Sequence, residues 1–394
     1  MAQCKTSRSI KLFRCLYKKK TANYSTELLD SEIASAFASA TDLKISSGPS
    51  ELSIESQEIT LDNYGENLRN NHTQFAYFKV TGGNLIIPHH DEMISKHADL
   101  FKSGFGSLEE ATGDSTSTAE LEDTGSVTVQ SGDGADFEIG AMIKIAGESI
   151  HTITNISTDI LTFSPDIPTG TIYSSGSTVM GLDTWNPQCL EDDEYYEMLI
   201  WDADEYWYLS SVKPSISVQS NDGGVPKQWQ MNITAYSARQ IGSSYNTALE
   251  SVFDGITADT FNIATLNNKT KIAYNDAIVD DIISLTMNIE RENTRWETDV
   301  NARGAVGSIN DVTDVSGELI TIDKTTYMLE MQDNDPNNIA FQSEDAQFAF
   351  FAPAAKLKSG QNPITENSGQ NVAAFGVSYN EDHTENIAIY LGDI

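Results

Sequence analysis

The stretch PSISVQSNDGGVPKQWQMNITAY, residues 214–236, reads as two strands joined by a turn of Asn, Asp, Gly and Pro. In its second arm Trp229, Met231, Ile233 and Ala235 alternate with Gln230, Asn232, Thr234 and Tyr236. A period of two, with the larger apolar residues on one side, marks a strand that buries a single face. Residues 353–379, PAAKLKSGQNPITENSGQNVAAFGVSY, repeat the plan of strand, Gly/Asn/Pro turn and long alternating strand. A second pair of features precedes these hairpins. In the first half a strand ending at Glu55 leads through a polar loop and another strand to Gly83-Asn84-Leu85-Ile86. In the second half Ile283–Glu290 (ISLTMNIE) leads through a polar loop to Gly317-Glu318-Leu319-Ile320. Four features in one order point to an internal duplication.

Working outward, alternating runs recur at Leu52–Leu61, Gln74–Val80 and Tyr195–Trp201. Two helices are expected. Residues 91–104 place Met93, Ile94, His97, Leu100 and Phe101 on one stripe, with Gly104 as the stop, and Tyr245–Asp254 places Ala248, Leu249 and Phe253 along one side. The fold class is therefore mainly β with a little helix. Residues 108–126 are rich in Thr, Ser, Gly and Asp and read as a linker. Residues 127–181 change to short β runs with frequent turns, as in a small β module inserted into a larger domain.

The length of 394 residues suits two or three domains, each with its own core. Lys+Arg 24 against Asp+Glu 58 gives a net charge of −34. Seven of the cations fall in residues 1–26, which carry no acid, so the remainder stands at −41. Such a surface repels phosphate and excludes nucleic-acid binding through basic patches outside that segment. No run of apolar residues approaches the roughly 20 needed for a membrane helix, and the N-terminus lacks the continuous apolar core of a secretory signal. Three cysteines, Cys4, Cys15 and Cys189, are too few for a disulfide framework and suit a reducing compartment.

Sharper chemistry is thin. His89, His90, Asp91 and His97 are loosely spaced for metal ligation, and His97 on its apolar stripe reads as a packed histidine. Asp333, Asp335, Asn337 and Glu344 match a calcium loop at positions 1, 3, 5 and 12, but Asn338 stands where glycine is required and Pro336 stiffens the loop. No Gly-x-Ser-x-Gly elbow, phosphate loop or dinucleotide fingerprint is present. No enzyme, cofactor or metal is expected.

The order of these elements resembles the tail tube (major tail) proteins of long-tailed bacteriophages. The resemblance is carried by RSIKLFRCLYKKKTANYS from Arg8, by the strand–loop–strand–helix run ending LFKSGFG, by the inserted module and by the closing hairpin. It covers nearly the whole chain and rests on order and texture; the doubled tube domain and the unusually basic start depart from the commonest pattern. It implies two tandem β-sandwich or partial-barrel domains, each with a flanking helix. The expected organisation is a basic arm over 1–30, a first tube domain over 31–126 and 182–240, the module over 127–181, a linker with a short helix over 241–278, and a second tube domain over 279–394.

The same resemblance implies a structural virion protein of the tail, assembled in the host cytoplasm, whose rings stack into an acidic-walled conduit for DNA. Two domains per chain imply a trimeric ring with pseudo-sixfold symmetry. Expected partners are other copies of the chain, double-stranded DNA passing without specific binding, and the tape measure, tail terminator and distal tail proteins; no membrane is expected. Candidate ring-stacking contacts are Asn63 and Arg69 on the first long loop and Arg291, Arg295, Trp296 and Arg303 on the second, since Arg and Trp dominate interfaces. Lys5, Arg8, Lys11, Arg14, Lys18, Lys19 and Lys20 are expected to form an arm that docks on a neighbouring protomer. The rival readings are another ring-forming tail component, such as a distal tail or baseplate hub protein, and a secreted carbohydrate-binding β protein.

Overall fold

A computed structural model describes residues 13–45, 47–50, 53–61, 72–81, 84–88, 93–187, 194–202, 205–220, 226–257, 270–278, 282–297, 305–321, 337–343, 346–361, 371–377 and 387–392. The molecule is mainly β and is built from two units with one strand order.

The first unit comprises β1 (Phe13–Lys19), β2 (Thr41–Leu43), β3 (Ser47–Ser50), β4 (Ser53–Leu61), β5 (His72–Thr81) and β6 (Asn84–Pro88). After an excursion it resumes with β17 (Tyr196–Asp202), β18 (Glu205–Ser220), β19 (Pro226–Thr234) and β20 (Ser237–Gln240). One sheet runs β2-β1-β17-β18-β20. Past a bulge between Tyr196 and Met198, β18 leaves this sheet and its second half joins another, in the order β3-β6-β19-β18. A bent strand shared by two sheets makes the corner of a sandwich.

The second unit repeats this plan with β21 (Thr270–Tyr274), β22 (Ala277–Ile278), β23 (Ile282–Glu297), β24 (Ala305–Thr321), β25 (Asn337–Ser343), β26 (Phe348–Gln361), β27 (Asn371–Val377) and β28 (Ala388–Leu391). Its sheets run β22-β21-β25-β26-β28 and β23-β24-β27-β26, antiparallel throughout. The bulge recurs: Tyr196 pairs with Val212 and Met198 with Leu209, while Asn337 pairs with Ala355 and Ile339 with Ala352. Leu85 faces Met231 as Leu319 faces Ala373, so the Gly83–Ile86 and Gly317–Ile320 motifs hold one register. The second unit therefore begins at Thr270, not at 279. Pro214 and Pro353 are not equivalents, because the shared bulge aligns Val212 with Ala355 and sets the two prolines four places apart.

Among the described residues three α-helices accompany the strands: α1 (Asp30–Ala36), α2 (Met93–Gly104) and α3 (Asn246–Gly255). The latter two match the expected helices, with α2 kinked at His97. Gly104 ends α2 for a reason other than a left-handed cap. A Cβ there would lie 3.0 Å from Ile216 and 3.2 Å from Pro214, so the helix reaches β18 only without a side chain. Phe101 and Phe105 then pack edge-on against Trp229, at 5.3 and 5.1 Å between ring centroids.

Between α2 and β17 the chain leaves through β7 (Ser107–Glu109) and returns through β16 (Thr184–Asn186). These two strands pair with each other, and β16 also pairs with β28. The excursion is a module with its own core. Its main sheet runs β10 (Ser126–Thr128), β13 (Ile160–Ser164), β12 (Ser149–Ser157), β11 (Met142–Ile145), β15 (Thr178–Leu182), β8 (Asp114–Thr116), with β9 (Leu121–Glu122) paired to β14 (Ile172–Tyr173). The linker read into 108–126 is thus corrected. It contains β7 to β10, whose polar composition reflects short strands that bury at most one residue each.

The sandwich core joins both units, from Cys15, Tyr17 and Trp229 to Met287, Ile339 and Phe350. Outside it, the first unit's outer sheet face (Leu16, Leu199, Tyr206, Tyr208) is covered by Ile33 of α1, by Phe37 just past its end, and by Leu249 and Phe253 of α3. The second unit's corresponding face is covered by Met142, Ile150 and Leu182 of the inserted module. In the second unit residues 323–331, which follow the Gly317–Ile320 motif, lie outside the described residues.

Candidate assembly interface

The two four-stranded blocks meet edge to edge. Val218, Gln219 and Ser220 of β18 pair with Ile289, Asn288 and Met287 of β23, giving one eight-stranded sheet in the order β3-β6-β19-β18-β23-β24-β27-β26. The joint is sealed by buried polar groups. The Arg291 N–H donates to Ser217 Oγ at 3.2 Å, Ser215 Oγ donates to the Arg291 carbonyl, and the Arg291 guanidinium donates to the Pro187 carbonyl. Arg291 is only 2% exposed. Leaving so buried a cation without acceptors would cost several kcal/mol, so these bonds hold the two blocks in register.

The strands used in this joint have counterparts with open edges. Past Ala355, β26 pairs with β27 alone among the described residues, on the side matching β19; the positions matching Val218–Ser220 lie beyond Gln361, outside the described residues. At the other end β3 pairs with β6 alone. Pro49 lies within β3, and a proline has no N–H to donate, so a strand docking there does so beyond it. By register Thr286 matches Ser50 and Ile289 matches Ser53, so the positions equivalent to those of the joint follow that proline.

The sheet's sides differ sharply. Leu85, Ile87, Met231, Ile233, Met287, Ile289 and Val315 are buried, whereas Gln230 and Glu290 are exposed and Ile86, Asn232, Asn288 and Ser316 half-buried. Gln230 donates to Asn232 Oδ1 at 3.2 Å and Asn288 to Glu290 Oε2 at 3.4 Å, so these four residues present amides and one carboxylate on this face.

A two-stranded ribbon extends from each unit. β4 and β5 pair only with each other among the described residues, and β23 and β24 continue together from Asn293↔Asn310 to Glu297↔Ala305, past the last strand that flanks them. Nine residues of β4 span about 30 Å at roughly 3.3 Å each, and an isolated ribbon is marginally stable in water. Arg295 and Trp296 lie on the second ribbon. Arg303, Asn63 and Arg69 lie outside the described residues. Arg291 is corrected from a stacking contact to the internal joint, because it sits one turn of the ladder below the ribbon, where the two units meet.

The N-terminal arm is also redrawn. Lys5, Arg8 and Lys11 lie outside the described residues, but Arg14, Lys18 and Lys19 belong to β1, a central strand with Cys15, Leu16 and Tyr17 buried. Arg14 contacts Asp42 at 3.0 Å and donates to the carbonyls of Phe253 at 2.7 Å and Ile256 at 3.3 Å, closing the C-terminus of α3. Lys18 meets buried Glu197 at 2.9 Å, Lys19 pairs with Glu194, and Lys20 donates to Ser210 Oγ at 2.8 Å with Glu197 at 4.0 Å. Burial, opposed by Glu197 and Glu27, pulls the Lys20 ammonium below its ordinary range. These four cations are committed within the chain. The alternation in FRCLYKK was the available signal: Cys15 and Tyr17 face the shared core while Leu16 faces the helices.

No protein-family model matches the chain, and no curated protein matches it in sequence. Among the described residues no helix is long and apolar enough to cross a membrane.

Proposed function

We propose that the chain is a non-enzymatic, ring-forming subunit of a bacteriophage tail tube. One observation carries the reading: the molecule contains a unit-to-unit joint, β18 on β23, and the outermost strands of the same sheet, β26 and β3, each have one side unpaired among the described residues. A contact whose two sides differ is heterologous, and repeating it around an axis closes a ring and covers both ends of the eight-stranded sheet. Three chains supply six units. The ribbons of both units are the elements that reach the next ring, with Arg295 and Trp296 as contacts. The face carrying Gln230, Asn232, Asn288 and Glu290 lines the channel, where amides and a carboxylate give a passing polyanion little to hold it. The subunit acts in the virion tail, is assembled in the host cytoplasm, and meets the tape measure, tail terminator and distal tail proteins at the ends of the tube.

A proline at Lys358 tests this. Lys358 is the extra residue of the bulge between Leu357 and Ser359, outside the regular pairing with β27, and a proline ring there obstructs a strand docking along this edge. Negative-stain microscopy of concentrated wild-type protein is expected to show stacked rings, and Lys358→Pro folded monomers with an unchanged circular dichroism spectrum. Wild-type protein that stays monomeric would overturn the reading. Single rings that never stack would favour a distal tail or hub component.

A further inference from the structure

The seam between the inserted module and the second unit holds a half-open cavity of about 400 Å3, within the range of small-molecule sites. It owes its existence to side-chain size. The common register equates Leu16, Leu199, Trp201 and Tyr206 of the first unit with Ala273, Ala340, Gln342 and Ala349 of the second. Where the first unit fills its outer face with two leucines and two large aromatics, the second presents three alanines and an amide.

The module cannot settle onto those alanines, because polar clasps hold it at a set distance. Gln342 Oε1 accepts the Ile150 N–H at 2.8 Å while its Nε2 donates to the Glu148 carbonyl at 3.0 Å. Lys144 Nζ donates to the Ala346 carbonyl at 2.9 Å, and the Asp166 N–H to the Asp276 carbonyl at 3.1 Å.

The module's wall of the cavity is polar and incompletely satisfied. Thr152 is 3% exposed, lines the cavity, and its hydroxyl has no hydrogen-bond partner. Beside it, His151 Nδ1 lies 2.6 Å from the Pro165 carbonyl, which only accepts, so Nδ1 carries the proton. Nε2, 2.6 Å from Ser149 Oγ, then accepts from that hydroxyl. The pair is neutral and leaves the serine oxygen a lone pair. Glu148, Asp166 and Lys271 are the charged residues of the lining.

We propose that this cavity binds a small neutral polyhydroxy ligand, a single sugar unit, with its apolar face on the alanines and Phe351 and a hydroxyl hydrogen-bonded to Thr152. A wholly apolar ligand would leave the threonine hydroxyl buried and unpaired. An anion would meet two carboxylates and one lysine. A sugar ring presents C–H groups on one face and hydroxyls at its rim, and meets both walls.

The experiment uses the whole chain with neutral hexoses and N-acetylhexosamines as probes and with glucosamine and glucuronic acid as charged controls, read by saturation-transfer NMR and thermal shift. Binding of at least one neutral sugar is expected. Ala340→Leu, which installs the first unit's residue, should abolish it, and Thr152→Val, nearly isosteric, should weaken it about tenfold, the scale of one lost hydrogen bond. No binding of any neutral sugar, binding of the charged probes alone, or unchanged binding in either variant would overturn the proposal. Ring formation does not depend on the cavity, so microscopy of Ala340→Leu separates failure of this site from failure of the assembly reading.

Discussion

The two units share a strand order, a bulge and a register, yet they shield their outer faces differently. The first packs Leu16, Leu199, Tyr206 and Tyr208 under helices α1 and α3 of its own neighbourhood. The second places alanines there and borrows a cover from the module inserted in the first. Their polar networks differ as well. Glu197, opposite the first bulge, is a buried carboxylate holding Lys18 and accepting from Tyr208 at 2.9 Å. Its counterpart Asn338 is neutral, donating to Asp276 Oδ1 and accepting the Asp276 N–H, both at 2.9 Å. Ladder hydrogen bonds and alternation preserve a topology, whereas the volume and charge above the sheet answer to whatever lies on top.

The largest effect is expected from forcing the second unit's chemistry onto the first. Glu197→Asn strands Lys18 and Lys20 beside a neutral group and should destabilise the chain by about 4 kcal/mol, the range for breaking a buried ion pair. Chemical denaturation measures it; a loss below about 1 kcal/mol would mean that the network is no more than a surface one.

Acid probes the seam found only in the second unit. Burial holds His151 down at about 4, against an ordinary value near 6.5. Because its folded value is depressed, the unfolded chain takes up the proton first. The stabilisation present above pH 6.5 is lost as pH falls toward 4, amounting to about 3 kcal/mol by linkage. Glu148, Asp166 and Lys271 share the cavity lining, so the variant isolates the histidine: His151→Gln should flatten the slope between pH 6.5 and 4, and an identical slope in both proteins would reject the assignment.

A reciprocal exchange at equivalent positions is the finest comparison. Leu199→Ala should cost about 3 kcal/mol, as buried leucine truncations do, while Ala340→Leu should gain about 1 kcal/mol by filling existing space. Equal and opposite shifts in melting temperature would mean that the two faces are packed alike.

Much of this was legible in the residues. Alternation at 229–236 and 283–290 found strands β19 and β23, and Gly83–Ile86 with Gly317–Ile320 found the shared register. The apolar stripes found α2 and α3. What escaped was short or compositionally disguised: β1 beneath its lysines, α1 in seven residues, and β21 and β22 inside an apparent linker. Of the candidate contacts, Arg291 looked like an interface residue and is one, but the interface lies between the two units of its own chain.

The amino-acid sequence by itself determined the β class, the duplication and the strongly acidic balance, because side-chain period and charge are local properties that need no partner to be counted. Tertiary structure alone decided that β18 meets β23, that the module roofs the second unit, and that three alanines become a cavity. Those outcomes depend on which distant surfaces bury one another, and a strand edge or a small side chain carries no local mark of what will approach it.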